Sequence, residues 1–267
     1  MCATAQNGHK SLKPFDGSPT TCSAGNEIYR RDQMQRAALN TALSLGLAVG
    51  LVCAPACANA GDADNTLKVG YAHIGFNTKS ADLTGPAGTT PPGVQAGLNN
   101  TATMALVYER NISGPWCFVL QGGTPPVVKI FGAGNAAALG EVGTTRAWFP
   151  AFLGQYAFEG PWGSQPYVGA GVNYTFYTEG WVKAAYTGAF GGTGSTAKLT
   201  SSWGPVLKVG IGFPLGRTWV IDAAYSRYSI HTTATITTDT PGVGAIARSV
   251  GIRSDPDVVA LIVGHRF

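Results

Sequence analysis

Lys68, Glu109, Asn173, Lys208 and Asp222 are the residues of this 267-residue chain with the most chemistry to offer. They share no motif. Each falls on the small-residue face of a segment that alternates bulky apolar residues with small or polar ones. They meet only if those segments curl round a common centre, and charges held there, away from water, have to pair. Such an interior has two readings, a network that plugs the centre or a set of groups that line and gate a passage. Phe149, Leu153, Tyr167 and Tyr228 fall on the same side and would give a passage an apolar wall.

Nothing else reads as a reactive centre. There is no Gly-x-Ser-x-Gly, no His-Glu-x-x-His and no phosphate-binding loop. His73, His231 and His265 lie on separate segments and read as ordinary strand residues. Cys117 is the one cysteine beyond residue 60, without a disulfide partner or the companions of a zinc site. No cofactor and no metal are expected. A net charge of +4, with no basic cluster beyond Arg30-Arg31, argues against a nucleic-acid partner.

The elements that must position these residues are strands. Period-two alternation predicts eight, over about 67–77, 101–110, 116–122, 144–158, 165–177, 198–213, 218–232 and 252–267. The third continues through 127–130 after a break at Pro125-Pro126, and Pro150 predicts a bulge or kink in the fourth. The alternation is cleanest in the fifth, where Val168, Ala170, Val172, Tyr174 and Phe176 oppose Tyr167, Gly169, Gly171, Asn173 and Thr175. The connections alternate in length. Segments 78–100, 132–143, 178–196 and 233–251 carry Gly, Pro and Asn and read as long loops, whereas 111–115, 159–164 and 214–217 are short turns.

Composition agrees. Charged residues are only 12% and glycines number 37, with 10% aromatics, which suits strands that need only alternate. The start of the chain reads as a targeting segment. A basic stretch 30–36 precedes an apolar run over 37–54 and the small-residue site Ala58-Asn59-Ala60. We expect a signal peptide over 34–60, cleaved after Ala60, behind a polar extension over 1–33 that reads as a mis-assigned start. An uncleaved anchor is the alternative for the apolar run, and lipidation a minor one, since neither Cys53 nor Cys57 has leucine three residues before it.

Together these features predict an all-β chain over 61–267, an eight-stranded antiparallel up-and-down transmembrane β-barrel. Short turns and both ends would face the periplasm, and long loops the outside. Bulky residues should face lipid, because each apolar side chain left in water forgoes roughly 1.5–3 kcal/mol. Trp116, Trp148, Tyr156, Phe158, Trp203, Phe213, Trp219 and Phe267 suit interfacial girdles. The terminal strand, with apolar residues at every second position and Phe267 last, is the usual ending of bacterial outer-membrane barrels and would be its assembly signal. A soluble lipocalin-like barrel, with its bulky residues inside, is the alternative.

The run Pro166-Tyr167-Val168-Gly169-Ala170-Gly171-Val172-Asn173-Tyr174-Thr175 resembles the OmpW family of small outer-membrane proteins. Also in keeping, in order, are Gly123-Thr124-Pro125, the strand over 150–158, Ser202-Trp203-Gly204, the strand from Trp219 to Thr232-Thr233-Ala234, and Asp255-Pro256 before the closing Gly264-His265-Arg266-Phe267. Two departures stand out. His265 replaces a tyrosine in the final Gly-Tyr-Arg-Phe, and Phe149-Pro150 replaces paired prolines.

The resemblance implies a narrow, largely hydrophobic interior and passage of small apolar molecules or ions across the outer membrane. The expected function is therefore a narrow passive channel for small hydrophobic solutes or ions, lined by the nine inward residues named above. A structural or surface-interaction barrel acting through its outer loops is the alternative. A lipid-modifying outer-membrane enzyme, with a Ser/His/acid site, is a distant one. Expected partners are outer-membrane lipid, small hydrophobic solutes and the barrel-assembly machinery, the last through the C-terminal strand.

Overall fold

The computed structural model describes residues 65–267. The expected extension and signal peptide lie outside the described residues. The chain enters on β1 (Asn65–Gly75) and passes through β2 (Thr78–Ser80) and β3 (Val94–Leu98) before β4 (Thr101–Ser113) returns it. β5 (Trp116–Gly123) goes back out and resumes beyond Pro125-Pro126 as β6 (Val127–Gly134). β7 (Glu141–Trp148) comes down and, across Phe149-Pro150, becomes β8 (Ala151–Ala157). β9 (Gln165–Val182) is followed by a short helix, α1 (Ala184–Ala189), then β10 (Gly194–Leu199), β11 (Ser202–Leu215) and β12 (Trp219–Tyr228). The chain finishes with β13 (Ile230–Thr240), β14 (Gly244–Ser254) and β15 (Asp257–Arg266).

Eight of these strands close on themselves in the order β1-β4-β5-β8-β9-β11-β12-β15, and β15 pairs with β1. Every pairing is antiparallel, so no edge is left open. The terminal residue completes the seam: Phe267 N donates to the Asn65 carbonyl at 2.9 Å, and Asn65 N returns a bond at 3.2 Å.

Register fixes which side chains face where. Val69 lies opposite Val263 and Tyr71 opposite Leu261, all outward, and Lys68 lies opposite Gly264, inward. Val168, Val172 and Leu261 are 47–61% exposed while Tyr167, Asn173 and Asp222 are at most 4%. The bulky rows therefore face outward, as lipid contact requires and a lipocalin-like arrangement would not allow.

Aromatics form two belts. Near the short turns Trp116 packs edge-on against Tyr156, as does Tyr156 against Phe158. Towards the long connections Tyr174 touches Trp203, and Trp148 stacks on Phe176. Trp203 and Phe213 stand ten residues apart on β11. At ~3.3 Å per residue and a tilt of about 40°, that is about 25 Å, the height of the apolar band of an outer-membrane barrel.

The segments read as long loops are a correction. They build a second tier of strands above the barrel. β10, β13, β14 and β2 form one sheet, and β3, β6 and β7 extend the wall from the outer half of β9. Predicted single strands break where the tiers meet, at Pro125-Pro126, Phe149-Pro150, Thr200-Ser201, Ser229 and Asp255-Pro256. The tier holds because it has its own core: Leu83, Tyr186, Ala234, Val250 and Ile252 are all buried.

Candidate functional site: a plugged barrel beneath an apolar chamber

All nine predicted interior residues lie inside the barrel, but in separate layers. Lys68, Glu109, Asp222, Lys208 and Tyr167 form one cluster near the periplasmic end. Lys68 Nζ stands 2.5 Å from Asp222 Oδ2 and 2.7 Å from Glu109 Oε1. Tyr167 donates its hydroxyl to Asp222 Oδ1 at 2.7 Å. Lys208 Nζ lies 3.9 Å from Glu109 Oε1 and 5.2 Å from the centre of the Tyr167 ring. Two cations thus face two anions, a balance that burial demands.

Glycine makes room for this cluster. A side chain at Gly264 would place its first carbon 2.6 Å from the Lys68 stem, and one at Gly210, opposite Tyr167, would overlap the phenol ring. These five residues are each at most 9% exposed, and Gln155, 3% exposed, lies beside them.

Leu153, Phe149 and Tyr228 belong to an apolar layer with Val119, Val206 and Ile262. Phe149 meets Tyr228 edge-on at 5.8 Å, and Gln121, missed in the sequence, donates to the Tyr228 hydroxyl at 2.6 Å. A small cavity of about 40 Å³ lies here, bounded by Ala72, Gly122, Phe149, Tyr228, Ile262 and the stem of Lys208. Asn173 stands apart from the ion pairs; its side-chain amide donates to Thr175 Oγ1 at 2.7 Å.

Beside this cavity the wall is incompletely sewn. The β5–β8 ladder stops at Gln121–Ala151 and the β6–β7 ladder starts at Val127–Arg146. Between them Pro125, Pro126 and Pro150 have no N–H to give, and the Pro150 carbonyl is taken by Tyr174 N on β9 at 3.0 Å. The bond from Ala147 N to the Pro126 carbonyl, 3.3 Å, marks the outer end of the gap.

Above the barrel, the second tier encloses a chamber with about 60 Å³ of free space and an almost wholly apolar wall. Leu83, Val94, Trp181, Ile236, Val250 and Ile252 are among its lining residues. None was singled out in the sequence; the usable signal was the β-branched content of runs such as 233–240, which is mostly threonine and so also reads as polar loop.

A model of the OmpW family matches residues 62–267. The chain belongs to that family. Outer membrane protein W of Vibrio cholerae serotype O1 is 34% identical over 173 residues, 62% of this chain and 71% of that one. The dibenzothiophene metabolism operon protein PahQ of Pseudomonas aeruginosa is 23% identical over 206 residues, covering 76% and 88%. Among solved structures, outer membrane protein OprG from Pseudomonas aeruginosa superposes with a TM-score of 0.68 at 24% identity, covering 77% of this chain and 96% of that one. As a member of the OmpW family, the protein resides in the bacterial outer membrane, and the barrel spans it. His73, His231 and His265, considered for a hydrolytic site, are exposed and outward-facing, and none hydrogen-bonds a serine among the described residues.

On the outer tier, Lys183 Nζ at 2.9 Å and Lys129 Nζ at 3.7 Å hold Glu141. The hydrogen bond from Lys183, with the charge of both lysines, keeps the Glu141 carboxyl below its ordinary range. A depressed carboxyl favours the paired form at neutral pH, and that preference fades as pH falls through the folded-state value. In K183M the Glu141 midpoint should therefore move up, read by carbon NMR of the side-chain carboxyl. An unchanged midpoint would show that Lys183 does not hold it.

Proposed function

We propose that the protein is a passive channel for small hydrophobic solutes. They enter the outer apolar chamber and leave sideways through the unpaired seam between Gly122 and Pro150. The observation that carries this reading is the apolar chamber seated over a plugged barrel. A solute that prefers the chamber to water finds the axial route filled by ion pairs and the lateral one free of ladder hydrogen bonds. One relative is named for an operon of dibenzothiophene metabolism, and dibenzothiophene is a small fused aromatic, a suitable kind of occupant. The nine interior residues take different parts here: the ion cluster closes the axis, and Phe149, Leu153 and Tyr228 border the turn toward the seam. Outer-membrane lipid receives the solute, and the C-terminal strand ending in Phe267 engages the assembly machinery.

Ala234, 5% exposed and lining the chamber, offers the direct test. A234W should fill the chamber. Uptake of naphthalene into vesicles bearing a lipopolysaccharide leaflet should then fall to that of protein-free vesicles, while the barrel still migrates as folded in unheated gels. The filled axis also favours a second reading, a structural barrel acting through its outer tier. Wild-type uptake no faster than protein-free vesicles would select it.

A further inference from the structure

Arg248 stands out in the outer tier because its charge has no counterion. On β14 the inward residues are Ile246, Arg248, Val250 and Ile252; the last two line the chamber, and Arg248 lies opposite Ile236, which also lines it. Arg248 is not itself a lining residue; it follows Val250 outward on the same face of β14, just beyond the chamber, and is 2% exposed. Nε and Nη2 donate to the Thr89 carbonyl at 3.3 and 3.0 Å, and the group lies 4.3 Å from the centre of the Phe190 ring. No carboxylate pairs with it among the described residues. Nη1 is fully enclosed and makes no well-formed hydrogen bond, although the Tyr186 hydroxyl lies close to the guanidinium.

A second orphan lies beside it. Tyr186 lines the chamber, packs at a tilt against Phe190 at 4.6 Å, and has a buried hydroxyl whose polar neighbour is Arg248, with no well-formed hydrogen bond. Burial pushes this phenol up to about 12 against the charge and the hydrogen-bonding approach of Arg248, so it stays a donor at neutral pH. The acids next to chamber-lining residues are committed elsewhere: Asp82 to Gln95, Glu141 to Lys183, and Glu179 to Arg146. A buried cation without a counterion is costly, as is a buried hydroxyl without an acceptor. Both are relieved by one external group that is anionic and accepts two hydrogen bonds.

We propose that the outer end of the chamber is a carboxylate subsite. Arg248 Nη1 and the Tyr186 hydroxyl hold the head of a solute whose hydrocarbon part occupies the apolar space below. A carboxylate fits because two donors meet its two oxygens, whereas phosphate would keep unmatched oxygens against an apolar wall. The inference rests on the proposed use of the chamber by hydrophobic solutes and narrows the class to hydrophobic carboxylic acids.

Hexanoate and hexanol share a chain and differ in the head. With the protein in lipid nanodiscs, both are titrated while methyl NMR follows Leu83, Ile236 and Ile252. Hexanoate should shift these methyls at roughly tenfold lower concentration than hexanol, the scale of a charge-assisted pair. R248Q should abolish that difference and leave the hexanol response intact. Y186F, which removes only the hydroxyl and leaves the Thr89 contact, should reduce it. Equal responses in the wild type, or a hexanoate preference that survives both substitutions, overturn the subsite but leave the chamber for neutral solutes. If neither compound shifts the methyls, the chamber reading itself fails and the subsite with it.

Discussion

Replacing Asp222 with leucine should cost the barrel roughly 3–5 kcal/mol, the usual penalty for removing one partner from a buried ion pair. Asp222 is fully buried and accepts from both Lys68 and Tyr167. Its loss leaves Lys68 and Lys208 facing Glu109 alone, one uncompensated charge in the interior, and strands the Tyr167 hydroxyl. The double substitution K68M/D222L restores the balance, with Lys208 left against Glu109. It should recover most of the loss, the remainder being the unpaired hydroxyl, about 1–3 kcal/mol. Urea unfolding in bilayers, followed by tryptophan fluorescence, reads all three proteins. A D222L protein that unfolds at the wild-type midpoint would mean that water reaches the cluster and that the axis is open rather than filled.

The cluster was legible in the sequence because a barrel strand has only two faces. Once Val168 and Val172 were assigned to lipid, Tyr167 and Asn173 had to point inward, and the same parity placed Lys68, Glu109, Lys208 and Asp222. Parity does not give height. It could not separate Asn173, which bonds only Thr175, from the four charges nearer the periplasm, because height depends on strand stagger and tilt.

The chamber was not legible. Its walls come in part from Thr-, Ala- and Gly-rich stretches such as 194–196 and 233–240, whose small and polar residues read as loop. They become strands because each is paired by a neighbour tied to a barrel strand: β10 by β13, and β13 by β14. Arg248 went unnoticed for the same reason, since its segment was assigned to solvent.

The three prolines at the wall break were read as an interruption of the third strand at Pro125-Pro126 and a bulge or kink in the fourth at Pro150. They place the seam, and a bridge across it separates the lateral route from the axial one. A first side-chain carbon on Gly122 would stand 4.0 Å from Pro150 Cα, within reach of a disulfide. In a chain starting at Gly61 with Cys117 replaced by serine, G122C/P150C leaves two thiols. Oxidised, this protein should carry naphthalene no faster than protein-free vesicles, and dithiothreitol should restore the wild-type rate. Y167A supplies the converse. Removing that ring loosens the plug around Lys68 and Lys208, so ion conductance in planar bilayers should rise, while naphthalene uptake stays as it was, because the apolar route never passes the charges. If the bridged barrel still conducts naphthalene and Y167A speeds it, the solute travels down the axis and the seam is only a structural break. The two substitutions oppose each other in this way because apolar solutes and ions seek different walls of the same barrel, one proline-broken and greasy, the other charged and wet only when opened.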